Sequence, residues 1–210
     1  KIFNISAEKD FENLALEIFQ YQYKEVKVYQ QFCDLLKVNP TNVNSLNKIP
    51  FLPIQFFKSH QIIADNKKHK VVFSSSGTTG SILSKHYVHD LQLYKTGFTK
   101  TFNSFMKSSK ELTILALLPN YLEREGSSLV FMVNELIKQS NNINSGFYLN
   151  DLSSLIQKIE YLENNNRKTL LVGVSYALLD LIEIKKFKLK NTIIMETGGM
   201  KGRRKEMIKK

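Results

Sequence analysis

The sequence predicts an α/β fold, a largely parallel sheet flanked by helices. Three observations point to it. From residue 70 onward, short apolar runs alternate with amphipathic stretches. The runs 112–118 and 170–173 do not alternate polar with apolar, the mark of strands covered on both faces. The runs end at proline, glycine or hydroxyl residues that interrupt regular structure. Strands separated by helices of this length build a mostly parallel sheet.

In chain order, Ser6 is expected to cap a first helix with Phe11, Leu14, Ile18 and Tyr21 at helical spacing. Tyr29, Phe32, Cys33 and Leu36 make a second stripe, which reads Cys33 as a small core hydrophobe. Residues 39–60 are irregular around Asn39-Pro40 and Pro50-Phe51-Leu52-Pro53, with Ile54, Phe56 and Phe57 as an apolar anchor. Val71-Val72-Phe73 is a short strand, and Ser84-Lys85-His86-Tyr87-Val88 alternates like a second. Leu112 to Leu118, closed by Pro119, is a buried strand. Leu129, Met132, Val133, Leu136 and Ile137 mark a helix. Leu152, Leu155, Ile156, Ile159 and Leu162 mark another, capped by Asp151. Leu170-Leu171-Val172-Gly173 is a strand, Ala177, Leu178, Leu181 and Ile182 a helix, and 191–195 a further strand. Residues 203–210 read as the first turns of a helix, so the chain is expected to be part of a longer protein.

The 42% apolar and 23% charged residues are ordinary for a globular chain. No apolar run approaches the ~18 residues of a membrane span, and the N-terminus does not resemble a signal peptide. The lone Cys33 offers neither a disulfide nor a zinc-ligand spacing. These features predict a cytoplasmic location and no metal site built from protein side chains alone. The net charge of +11 attracts anions, and part of it sits in the last ten residues. The other lysines are scattered as on a solvated surface, and no nucleic-acid-binding motif is present, so no nucleic-acid partner is expected.

The segment 74–81, Ser-Ser-Ser-Gly-Thr-Thr-Gly-Ser, follows a strand directly and holds two glycines and six hydroxyls. Glycines let several backbone N–H groups turn toward one point, and hydroxyls add donors, a combination that suits a polyphosphate. A flexible serine-rich linker has the same composition, but strands on both sides argue against it. No Gly-Lys-Ser/Thr opens a helix here, which excludes the Walker pattern. Lys85 and His86 are candidate cationic partners just beyond the loop. Met195-Glu196-Thr197-Gly198-Gly199-Met200-Lys201-Gly202 also follows a strand, with more glycine than a tight turn needs. Val172-Gly173-Val174-Ser175-Tyr176 supplies a third strand end with small or hydroxyl residues. Ligands of open parallel sheets bind outside the carboxyl ends of the strands, so the three ends are expected to converge on a nucleotide. Residues 1–60 then form an N-terminal helical segment packed on the core, and residues 61–210 an α/β nucleotide-binding core.

Ser75-Ser76-Gly77-Thr78-Thr79-Gly80 resembles the phosphate loop of the adenylate-forming superfamily. Phe56-Phe57-Lys58, 118–124, Ser127-Ser128-Leu129, 173–180 and above all 196–204 resemble the acyl-protein synthetase (LuxE) family. The resemblance implies the N-terminal domain of an adenylate-forming enzyme that uses ATP and Mg²⁺. It implies activation of a carboxylic acid, a fatty acid by the family's habit, to acyl-AMP. The acyl group would pass to a thiol, on a protein cysteine or on coenzyme A, with partner subunits of an acyl-transfer complex. By the same resemblance Ser75, Ser76, Gly77, Thr78, Thr79 and Gly80 hold the phosphates, with Thr78, Thr79 and Lys85 acting in catalysis. Gly198 and Gly199 back the nucleotide, and Tyr121 and Ser175 line the acyl pocket. Two departures stand out. The superfamily lysine after the second loop glycine comes late, at Lys85. The downstream Tyr-Gly-x-Thr-Glu motif, mobile C-terminal domain and acceptor cysteine are expected beyond residue 210, and Cys33 does not match that acceptor. A catalytically incompetent relative acting as a binding module is the alternative expectation.

Overall fold

In the computed structural model, which describes residues 1–75, 82–106, 108–119, 126–198, 200 and 204, helices α1 (Glu8–Glu25) and α2 (Lys27–Leu35) open the chain. A one-turn helix α3 (Phe56–Ser59) follows, then strands β1 (Val71–Ser74) and β2 (Lys85–Val88). Helix α4 (Leu91–Met106) leads to β3 (Thr113–Leu117), α5 (Ser128–Ser140), β4 (Gly146–Phe147) and α6 (Leu152–Asn164). Strand β5 (Thr169–Val174), helix α7 (Ser175–Ile184) and strand β6 (Thr192–Thr197) complete the described elements. Two compact units divide this order between Gly97 and Phe98, inside α4.

The first unit is built on α1 and α2. Phe19, Val26, Tyr29, Cys33, Val43 and Ala64 form its buried core. The Tyr29 hydroxyl donates to the carbonyl of Pro50 at 2.7 Å and fixes the loop beneath the helices. Cys33 sits in this core, as its place on the apolar stripe of α2 requires. The expected stripe of α1 is displaced. Leu16, Phe19 and Tyr23 face the core, whereas Phe11 is 51% and Ile18 42% exposed. α1 carries apolar residues on two faces, and the second lines an open apolar groove of about 460 Å³ with Phe51, Leu52 and Phe57. Ser6 does not cap α1; it donates from N–H and hydroxyl to the Asp10 carboxylate, and Ala7 occupies the cap. Phe56 anchors the irregular segment by packing on Phe32, while Ile54 stays exposed.

β1 and β2 pair antiparallel as a sheet of their own, with Ser74 opposite Lys85 and Phe73 opposite His86. The two expected strands are present and pair with each other. They are not part of the parallel sheet, because the two runs are too short and too near in sequence for a crossover, and a hairpin is the cheaper pairing.

The second unit carries that parallel sheet in the order β4-β3-β5-β6. Every residue of β3 and β5 is buried, as expected of central strands whose two faces are both covered. Val133 and Leu136 of α5, Leu155, Ile159 and Leu162 of α6, and Ala177 and Leu181 of α7 complete the core. Asp151 caps α6 as expected, accepting from the N–H of Ser154 at 2.9 Å. Gly173 is buried in β5 and faces α7, where a Cβ would stand 2.8 Å from Cγ and Cδ2 of Leu178. It is a packing glycine rather than part of an open crevice. Strand β6 pairs only with β5 among the described residues, and its Ile193 and Ile194 are 48% and 52% exposed. Among the described residues no helix is long and apolar enough to cross a membrane.

Candidate functional site

In the first unit, the chemistry-bearing residues gather at the loop end of the β1/β2 hairpin. The ladder continues one step past the strands. Ser75 N–H donates to the carbonyl of Ser84 at 3.0 Å, and Ser84 N–H donates to the Ser75 hydroxyl oxygen at 3.1 Å. These two bonds clasp the base of the connecting loop. Because Ser75 Oγ accepts from Ser84, its own proton remains a donor toward a ligand. Ser76, Gly77, Thr78, Thr79 and Gly80 lie outside the described residues, as do Tyr121 and Gly199.

Strand alternation separates the two candidate cations. Lys85 is exposed and shares its side of the hairpin with Ser74. His86 shares the other side with Phe73, and both rings pack against Tyr94 of α4, with centroids 6.2 and 5.1 Å away. Desolvation there holds the imidazole below its usual pKa and favours the neutral ring. His86 is exposed as well, and its packing against Tyr94 leaves Lys85 the stronger candidate for an anion at the loop's base.

In the second unit, the carboxyl ends of β3, β5 and β6 share one edge of the sheet. Leu117 is in register with Gly173, and Val174 with Thr197. Leu118 and Pro119 leave β3 there, Ser175 opens α7 directly after β5, and Gly198 follows β6. Gly198 has φ 81°, in the left-handed region where a side chain is strained, and its backbone is exposed. Ser175 is 6% exposed beneath it. The Ser175 hydroxyl lies 2.6 Å from Glu196 Oε1 and 3.0 Å from the carbonyl oxygen of Gly198. One proton is thus shared between two acceptors, and the ends of β5 and β6 are bonded together. The family resemblance implies an acyl-pocket role for Ser175; the geometry gives its hydroxyl partners in Glu196 and the Gly198 main chain.

A second tie was not legible in the sequence. Arg204 donates from Nη1 and Nη2 to the two carboxylate oxygens of Glu183, at 2.6 and 2.7 Å, and from Nε to Asp180 Oδ1 at 2.9 Å. Nη2 also meets Asp180. The guanidinium bonds hold the Glu183 carboxyl below its ordinary pKa. Asp180 and Glu183 stand at i and i+3 on α7, a pair of like charges that a cation stabilises. That spacing was visible, but their partner lies more than twenty residues away.

Among the described residues no group of three or more His, Cys, Asp or Glu side chains gathers to hold a metal. A nucleotide-bound Mg²⁺ needs no such cage, since it binds through phosphates with one or two carboxylates.

No curated protein matches the chain. The family described as acyl-protein synthetase, LuxE, matches residues 3–116, a stretch that includes the clasped hairpin and stops short of Ser175 and Gly198. With more than half of its 210 residues matched, the chain belongs to the LuxE acyl-protein synthetase family of the adenylate-forming superfamily.

Proposed function

We propose that this chain is the ATP-binding part of an enzyme that activates a carboxylic acid as acyl-AMP and passes the acyl group to a thiol. The observation that carries the reading is the β1/β2 hairpin, clasped where Ser75 bonds to Ser84, within the matched family stretch. Its loop, Ser75 to Gly80, brings glycine N–H groups and hydroxyls to the β- and γ-phosphates, with Lys85 at the base. The glycine turn at Gly198, on the carboxyl edge of a parallel sheet, offers bare backbone for the flat face of an adenine nucleotide.

In this reading an oxygen of the substrate carboxylate attacks the α-phosphorus of ATP. The bond from that phosphorus to the bridging oxygen breaks, and pyrophosphate leaves with the electron pair. When bound through the phosphates, Mg²⁺ would supply neutralising charge for the leaving group. The protein orients the two reactants and supplies donors where charge develops. Thr78 and Thr79 serve as such donors, and Lys85 as the cation. Tyr121 lines the acyl side. A protein cysteine or coenzyme A then takes the acyl group, its sulfur displacing AMP.

The test is carboxylate-dependent exchange of labelled pyrophosphate into ATP by the full-length protein. Thr78→Ala and Gly80→Ala should each slow exchange by about tenfold or more. Exchange untouched by both variants refutes the phosphate-loop assignment. ATP binding without any exchange for any carboxylic acid favours the binding-module alternative.

A further inference from the structure

The segment that leaves β6 is held at three points, and all three lead to α7 or the core beneath it. Gly198 offers its carbonyl to the buried Ser175 hydroxyl at 3.0 Å. Met200 is buried in the core formed by the sheet and α7. Arg204 is bonded to Asp180 and Glu183 of α7.

Each anchor has a physical cost that a plain turn would avoid. Fixing Gly198 in one conformation costs more chain entropy than fixing any other residue type would. Ser175 is a hydroxyl at a nearly solvent-free position, where an alanine would pack without needing a partner. Asp180 and Glu183 repel each other until Arg204 binds. With its donors turned to these two carboxylates, Arg204 is directed toward α7 rather than toward an anionic ligand. Ser175 thus holds the main chain at Gly198 itself, the point where the sheet edge exposes bare backbone, while Met200 and Arg204 anchor the chain two and six residues on.

We propose that Ser175, Asp180 and Glu183 are positioning residues: from α7 they fix the turn at Gly198 and so set its affinity for an adenine nucleotide. The assignment rests on the adenylate-forming reading above. It differs from a substrate contact, because Ser175 acts through Gly198 and Glu196 and the two carboxylates act through Arg204.

The test uses the full chain with Ser175→Ala, Ser175→Thr and the double variant Asp180→Asn/Glu183→Gln. Two quantities are read for each: hydrogen–deuterium exchange of the amides in 194–200, and the dissociation constant for ATP. Loss of one bond to Gly198 should speed exchange by about tenfold and weaken ATP by about five- to tenfold in Ser175→Ala. Ser175→Thr, which keeps the hydroxyl, should restore both to within about twofold. The double variant should weaken ATP similarly while Ser175 still holds Gly198. Unchanged exchange in Ser175→Ala overturns the tether itself. Failure of threonine to rescue, or ATP losses that follow loss of hydrogen-exchange protection at the β5 amides across all variants, makes the role merely structural and also overturns it. A wild-type chain that binds no ATP overturns the nucleotide reading, with the exchange rates still judging the tether.

Discussion

Replacing Gly173 by alanine tests how α7 is seated on the sheet. The added Cβ would stand 2.8 Å from both Cγ and Cδ2 of Leu178 and 3.3 Å from Cβ of Leu117. Carbon atoms in contact settle at about 3.5 Å or more, so some part must give by about 0.7 Å. Cβ of Leu117 is fixed to a fully buried strand and cannot yield. Leu178 can change rotamer, but a helix leaves it few wells, and otherwise α7 must lift from β5. Overpacking of this kind costs about 1–3 kcal/mol. Alanine also restricts the unfolded chain, which returns about 0.4–1 kcal/mol. The net destabilisation is about 1–2 kcal/mol. Because the chain has two compact units, a single melting curve is a poor measure. Native-state hydrogen exchange at the β5 amides reports this unit directly, and protection should fall about 5- to 30-fold. Adding Leu178→Ala should recover part of the loss, with a coupling of about 1 kcal/mol in a double-mutant cycle. Protection equal to wild type, or strictly additive losses, would refute the packing argument.

Glu163, at the end of α6, accepts from the N–H groups of Lys190 and Asn191 and from the Thr192 hydroxyl, and so secures the start of β6. Partial burial pushes its carboxyl up, but the bonds from Thr192, Lys190 and Asn191 outweigh that and leave it below the ordinary value. A lowered carboxyl pKa adds stability that is present above the unfolded value and is lost as pH falls through the folded one. Glu163→Gln should therefore cost about 1–2 kcal/mol near neutrality, after allowance for its partial exposure. The gap to wild type should close below about pH 4; a gap independent of pH in urea titrations would contradict this. Burial raises the pKa of the Cys33 thiol, and Tyr29 opposes that only in part. A thiol reagent should label the folded chain at least about 100-fold more slowly than the chain in urea, and immediate labelling of native protein would exclude a buried Cys33.

The reach of the sequence follows from how local each signal is. Strands β3 and β5 were legible because both of their faces are buried, so their residues form continuous apolar runs. The Asp151 cap was legible because donor and acceptor are three residues apart. β4 has only two residues, Gly146 and Phe147, and forms because β3 offers an edge. α4 was not singled out, since its Phe98, Phe102 and Met106 are interleaved with threonine, serine and lysine. The α1 stripe was misassigned because two apolar faces overlap on one helix, and only packing selects Leu16, Phe19 and Tyr23. At the candidate site, the glycine turn after β6 and the hydroxyl opening α7 were recognisable from their positions behind apolar runs. Their bond could not, because Ser175 and Gly198 meet only once β5 and β6 lie in register. Gly173 was read as site lining for a related reason: a glycine spared for packing and one spared for a ligand look alike until the facing residue, Leu178, is known.

Strand β6, which among the described residues pairs only with β5, has a practical consequence for handling the protein. Ile193 and Ile194 point to opposite faces of β6, so neither face is shielded by charge at those two positions. On the side away from β5, main-chain donors and acceptors of an uncapped strand form a template on which another chain can add by edge-to-edge pairing. Where nothing else caps it, that margin makes self-association at high concentration the expected failure in solution, and a lysine at position 193 is the conservative remedy.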